Sequence, residues 1–256
     1  MGSVRLPPGR PVGSFVDSEQ PVAWVTDEPV ADPGRLWLAL SDIAASTGLQ
    51  PLLLTEDELP TGYSRQDLLE ETFHYPADPG EVDALDAGEI LKDLWRENSD
   101  SAILRDERLP FAAQFPGLAP ATAGALSREE IHAALDRFEA APLCLVPAGR
   151  PADTLTAIGW GPTDYFQGPM PFSAVLRSWE DRFGARLVQA GPSAELRLLA
   201  ERPPRTMAEA LPIAAEHWAF CTGWIDDRRG DRVDVTDVRG IAPLLLDNPL
   251  WAFWWD

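Results

Sequence analysis

Val175, Leu176, Trp179 and Phe183 stand at i, i+1, i+4 and i+8, with Arg177, Glu180, Asp181 and Arg182 on the other faces. Apolar positions at a period of about 3.6 predict an amphipathic helix opening at Phe172-Ser173, and Gly184 supplies its left-handed stop. The pattern then changes. Arg186–Ala190 and Glu195–Ala200 are short strand-like runs separated by Gly191-Pro192-Ser193, which predicts an antiparallel hairpin near 185–201. Beyond Pro203-Pro204, Thr206 and Glu209 form a T-x-x-E capping box ahead of Ala210, Leu211, Ala214, Ala215 and Trp218. Pro212 is expected to kink that helix about one turn in.

The same patterning extends to both sides. Val22–Thr26 predicts a strand, Asp32-Pro33 an N-cap with proline at the first helical position, and Leu36, Trp37, Leu40, Ile43 and Ala44 an apolar stripe ended by Gly48. Leu49–Thr55 follows as a second strand. Strand, helix and strand in this order predict a crossover unit with parallel strands. Ser64 with Asp67, Asp86 with Glu89, and Ser127 with Glu130 mark three more helix starts. Leu143–Val146 predicts a fully buried strand, and Gly149-Arg150-Pro151 leads into a short helix. Residues 161–171 suggest a long surface loop. A helix is expected from Thr236 to Asp247, and Trp251, Phe253 and Trp255 alternate to one side as in a strand.

These elements imply an α/β (α+β) fold, a mixed sheet with helices packed on it. The expected division is an irregular segment over 1–20, an N-terminal α/β part over 21–104, a Pro-rich connecting loop over 105–126 and a C-terminal α/β domain over 127–256.

Composition narrows the function. The 256 residues are 45% hydrophobic with ten tryptophans, enough for a real core. The formal charge is −20, and residues 1–100 carry 20 of the 41 acidic residues but 6 of the 21 basic ones. Such a charge argues against nucleic-acid backbones and anionic membranes, and a basic protein partner suits it better. Two cysteines make no disulfide framework, and no apolar run reaches the length of a signal peptide or a membrane span. A soluble, cytoplasmic protein is expected.

The densest chemistry is Ala215-Glu-His-Trp-Ala-Phe-Cys221. His217 and Cys221 share a helix face, which suits two ligands of a metal or a Cys–His nucleophile pair. A structural zinc needs four ligands, and His74, His132 and Cys144 lack partner spacing. A thiol at a helix C-terminus has its pKa raised by the dipole rather than lowered. Packing residues, with the imidazole hydrogen-bonded locally, are therefore the favoured reading of the pair. Arg150 opens a helix after a buried strand, a place where α/β proteins bind anions, although one glycine and one arginine also make a plain turn. Gly159-Trp160-Gly161 lacks the third glycine of a dinucleotide fingerprint. The spacing of a calcium loop is absent too, since Arg228 occupies the third position of any loop starting at Asp226.

Leu145-Val-Pro-Ala148 with Gly159-Trp160, Leu176–Ala185, Ala215–Cys221 and Phe253-Trp-Trp-Asp256 together resemble a bacterial family known as domain of unknown function 4253. Thr47–Leu54 is similar to the N-terminal part of its longer members. The resemblance implies no activity. Family members continue Phe-Cys with Pro-Asp, whereas Thr222-Gly223 follow here, so that aspartate is lost or replaced by Asp226 or Asp227. The expectation is a non-catalytic, immunity-like protein-binding module without metal or cofactor. Its candidate binding residues are Arg150, Trp160, Glu216, His217, Cys221 and Trp255. The alternative is a small-molecule or metal-dependent enzyme with its site around Glu216, His217 and Cys221.

Overall fold

A computed structural model describes residues 11–16, 22–55, 64–98, 107–112, 114–166, 168–221, 225–226, 232–233 and 237–255. In chain order the elements are β1 (Gly13–Val16), β2 (Ala23–Thr26), α1 (Pro33–Ser41), α2 (Ala44–Thr47), β3 (Leu49–Leu54), α3 (Arg65–Thr72) and α4 (Ala87–Glu97). They continue with α5 (Arg128–Leu135), β4 (Leu143–Pro147), α6 (Thr154–Ile158), α7 (Met170–Phe183), β5 (Ala185–Ala190), β6 (Glu195–Ala200) and α8 (Met207–Phe220). A small ribbon of β7 (Ile225–Asp226) and β8 (Arg232–Val233) precedes α9 (Val238–Leu245) and β9 (Leu250–Trp254).

Among the described residues, seven strands form one mixed sheet in the order β1-β2-β4-β3-β5-β6-β9. Only β3 and β5 pair in parallel; every other ladder of this sheet is antiparallel. The expected hairpin is β5–β6, with one extra residue, Val188, between the Leu187–Leu198 and Gln189–Arg197 pairs. The two parallel strands expected in the N-terminal unit are β2 and β3. They are not adjacent, because β4 inserts between them and runs antiparallel to both.

Strand alternation places a different core on each face of the sheet. Leu52, Leu54, Leu187, Leu196, Leu198, Trp251 and Phe253 join the larger cluster with residues of α4, α6, α7, α8 and α9. Trp24, Leu53, Leu143, Val188 and Leu199 join the smaller one, covered by α1 and α5 through Trp37, Leu38, Ile131 and Leu135. Burial on both faces explains why the central strands are nearly continuous apolar runs. Pro51 sits in β3 before the point where β5 pairs with it, so its missing N–H costs no ladder bond there.

The helix starts follow their caps. Ser64, Ser127 and Thr206 each close a reciprocal capping box with Asp67, Glu130 and Glu209. Asp32 holds the expected position before α1, but its carboxylate makes no cap bond and pairs instead with Arg35.

Four expectations are corrected. The irregular N-terminal segment contains β1, whose Gly13 lies where a Cβ would sit 2.3 Å from the Trp24 ring, so only glycine fits the pairing. The surface loop expected at 161–171 is a 3-10 turn over Gly161–Phe166 with α7 starting at Met170, and Gly161 and Thr163 are buried. Thr163 stabilises that turn by donating its hydroxyl to the Trp160 carbonyl at 2.6 Å. Leu145 of β4 is half-buried rather than fully buried. The C-terminal helix spans Val238–Leu245, and residues 234–236, where it was expected to start, lie outside the described residues.

Gly159 ends α6 in the left-handed conformation at φ 61°. A Cβ there would lie 2.2 Å from the backbone of Tyr75. Gly48 has a similar φ of 69° but open space around it. Gly48→Ala should therefore cost about 1 kcal/mol from backbone strain alone, and Gly159→Ala roughly 2–3 kcal/mol, because the chain at Tyr75 must also move. Urea denaturation of the two variants measures the difference; equal losses would refute the close approach at Tyr75.

Candidate functional site

The densest chemical cluster of the sequence lies inside the larger core. Glu216, on α8, has no exposed surface. Its Oε1 accepts from the Ala119 backbone N–H at 2.6 Å and from Arg182 Nη1 at 2.7 Å. Its Oε2 accepts from Trp179 Nε1 at 2.7 Å and Arg182 Nη2 at 2.6 Å. Four donors satisfy both carboxylate oxygens. Arg182, in the last turn of α7, is held in turn by the Ala119 carbonyl and the Ser178 hydroxyl, and its guanidinium lies over the Phe183 ring. The ion pair clamps α7, α8 and the extended stretch around Ala119 together.

His217, the next residue, is boxed by aromatic rings. Trp179, Trp251 and Phe253 have ring centroids 5.0, 4.6 and 4.8 Å from its own. Neither ring nitrogen has a hydrogen-bond partner, so the local bond expected for this imidazole is not made. Burial, assisted by the Arg182 charge, pushes its pKa down to about 3. This imidazole is a neutral packing group at physiological pH. Cys221 caps α8, and its thiol donates to the Trp254 carbonyl at 3.1 Å. The three side chains do not converge on an open cleft. Among the described residues no group of three or more His, Cys, Asp or Glu is placed to hold a metal ion.

The remaining candidates are also engaged. Trp160 is buried, its Nε1 donating to the Gly191 carbonyl at 3.0 Å, and Trp255 donates to the Phe220 carbonyl at 3.2 Å. Both pack edge-to-face with Phe172 and with each other. Arg150 bonds to Glu180 at 3.2 Å and Asp181 at 2.6 Å. The backbone N–H of Ala152, at the helix start that an external anion would seek, is satisfied by Glu180 Oε2. That seat is filled by the protein's own carboxylate. Thr222, Gly223 and Asp227 lie outside the described residues, and Asp226 is described only as backbone of β7.

A pocket of about 440 Å³ opens elsewhere, at the carboxyl ends of the parallel strands β3 and β5. Thr55, Gln189 and Arg197 line it from the sheet, and Arg137, Phe138 and Glu139 from the chain just after α5. Sequence reasoning passed over these residues. Gln189 was the available signal, as the one polar side chain in the run Leu187–Ala190.

Two outcomes follow from the buried polar groups. Glu216→Leu should destabilise the protein by about 3–5 kcal/mol, because Arg182 keeps a buried charge without its counter-ion, and adding Arg182→Met should recover most of that loss. Urea midpoints of the single and double variants read this, and an additive double variant would overturn it. His217 sets a pH dependence. The unfolded imidazole, with its ordinary pKa of 6.5, binds a proton that the folded one refuses until about pH 3. Stability from this group is thus complete above the unfolded value and is lost as pH falls from there toward the folded one. Between pH 7 and pH 5 the protein should lose roughly 2 kcal/mol more than a His217→Phe variant. Parallel loss curves would show that the imidazole is not buried neutral.

No curated protein and no solved structure matches the chain. Among the described residues no helix is long and apolar enough to cross a membrane. Residues 142–256, the stretch from β4 to β9 that holds Glu216, His217 and the aromatic cluster, match the family described as Domain of unknown function (DUF4253).

Proposed function

We propose that this protein is a non-catalytic binding module whose acidic surface receives a basic protein partner. The observation that carries this reading is the segment 64–98, spanning α3, a 3-10 turn and α4. It holds ten acidic residues against three basic ones, and nearly all its carboxylates are exposed. Some of these have local partners, such as Glu89 with Lys92 and Asp93 with Arg96. Exposed pairs of this kind are worth little and leave the excess negative charge in place. Tyr75 projects from the middle of the segment, 79% exposed, and Leu85 is also exposed. A large ring within a charged surround has the composition of an interface hot spot with its rim. Neutralisation of a basic toxin, the immunity-like role, suits such a surface.

Support also comes from what the reactive side chains are doing. Glu216, His217 and Cys221 are engaged in packing and in satisfying polar neighbours within the core. The surface of segment 64–98, by contrast, offers charge and the exposed ring of Tyr75.

The full-length protein, used as bait in the cytosol of its source, should recover a basic protein. The association rate with that protein should fall steeply with added salt, since exposed charges are screened beyond roughly 8 Å at physiological ionic strength. Tyr75→Ala should weaken the complex by about tenfold or more, mainly through faster dissociation. An acidic partner, or one whose association is indifferent to salt, would overturn the proposal.

A further inference from the structure

The pocket beyond β3 and β5 carries its own argument, independent of the partner-binding surface. In open α/β sheets, ligands bind outside the carboxyl ends of parallel strands. Here β3 and β5 are the parallel pair among the described residues, and Thr55 directly follows the end of β3. The sheet is locally rebuilt at this point. Leu187 and Ala190 of β5 belong to the larger core, whereas Val188 belongs to the smaller one. Simple alternation would return Gln189 to the larger core. The extra residue at Val188 instead pairs Gln189 with Leu53 of β3 and Arg197 of β6. Directly opposed residues point to the same face, and Leu53 lies in the smaller core, so the bulge turns Gln189 toward the pocket.

Gln189 is only 7% exposed, and its Oε1 is fully buried without a hydrogen-bond partner. Gln189 lines the cavity, and no donor of the protein reaches its Oε1. A leucine would serve the core better at this position. Bulges that re-aim a side chain recur next to binding sites, and a buried unpaired polar group needs a reason of that kind. The lining also carries both signs of charge, with Arg137 and Arg197 positive and Glu139 negative, and Phe138 supplies an apolar wall. Arg197 is paired as well with the buried Glu195 at 2.7 Å. A simple anion would meet Glu139, and a simple amine would meet two guanidinium groups.

We propose that this pocket binds a small zwitterion, a molecule of amino-acid size with a carboxylate and an ammonium group. The carboxylate faces Arg137, whose planar donors suit it, with Arg197, itself bridged to Glu195 at 2.7 Å, adding positive charge beside it. The ammonium faces Glu139 and donates to Gln189 Oε1, providing the hydrogen bond that the protein lacks. The volume of about 440 Å³ admits such a ligand with room for a side chain.

The test is calorimetric titration of the full-length protein with each of the free L-amino acids at up to millimolar concentration. For any that binds, the matching amine without the carboxylate and the matching acid without the amino group are titrated as well. At least one amino acid should bind with one-to-one stoichiometry, and each analogue should bind about tenfold or more weakly. Gln189→Leu should weaken binding by about tenfold while raising the melting temperature of the unliganded protein, since an unpaired amide has been removed. Arg137→Ala, a change at an exposed position, should weaken binding without altering the fold, which keeps the test decisive if Gln189→Leu fails to fold. Failure of every amino acid to bind, equal binding of the amine or the acid alone, or unchanged affinity in Arg137→Ala would each overturn the proposal.

Discussion

A carboxylate with no access to water must be given everything that water would have supplied. Glu216 sits at the centre of the larger core, and its two oxygens take four donors from two separate parts of the chain. Trp179 and Arg182 come from α7, and the Ala119 N–H comes from an extended stretch nearly a hundred residues earlier in sequence. The requirement is geometric as well as electrostatic. Arg182 reaches Glu216 only if α7 crosses α8 at the observed place, and Trp179 must turn its N–H inward while its ring packs against His217, Phe220 and Phe253. Apolar residues alone would tolerate several sliding arrangements of two helices on a sheet. The ion pair makes one of them far better than the rest, which is the best-supported use of buried charge.

The aromatic cluster is arranged around the same point. Trp251 and Phe253 alternate along β9 and reach the rings of α7 and α8, so the last strand of the sheet is held by side-chain packing as well as by its ladder to β6. His217 is accommodated there as a flat, neutral ring. Its unpaired nitrogens are the penalty for placing an imidazole where phenylalanine would also fit in shape, and the driving force for the cluster comes from the large apolar area of its neighbours.

Much of this fold was legible in the sequence wherever the cause of a structure is local. The T-x-x-E box at Thr206, the Ser64 and Ser127 boxes and the left-handed Gly184 announce themselves within four residues, and each is found in place. The β5–β6 hairpin was legible for the same reason. What could not be read depended on partners distant in sequence. Strand β1 is recognisable only once the Trp24 ring is known to lie against Gly13, and β4 between β2 and β3 is a matter of sheet order, which no local pattern encodes. The chemical residues show the same divide. Glu216, His217 and Cys221 stood out as a reactive trio, but their roles are set by Arg182, Trp251 and Trp254, which only the fold brings near. Gln189 was inconspicuous because its meaning depends on a single extra residue in the ladder beside it.

The placement of β4 also governs the order in which the sheet can assemble. Until Leu143–Pro147 is available, β2 can pair only with β1, and β3 has neither of its neighbours, since β5 comes later still. A nascent chain carrying the first half of the sequence therefore holds apolar strand edges that await a segment not yet made. The β5–β6 hairpin, with its short connection, needs no such delay. Pairings of long sequence separation are entropically expensive to close before they yield any contact energy, and exposed edges are prone to pair with the wrong chain in the interval. An acidic N-terminal half is well suited to that interval, because like charges on neighbouring unfinished chains keep those edges apart.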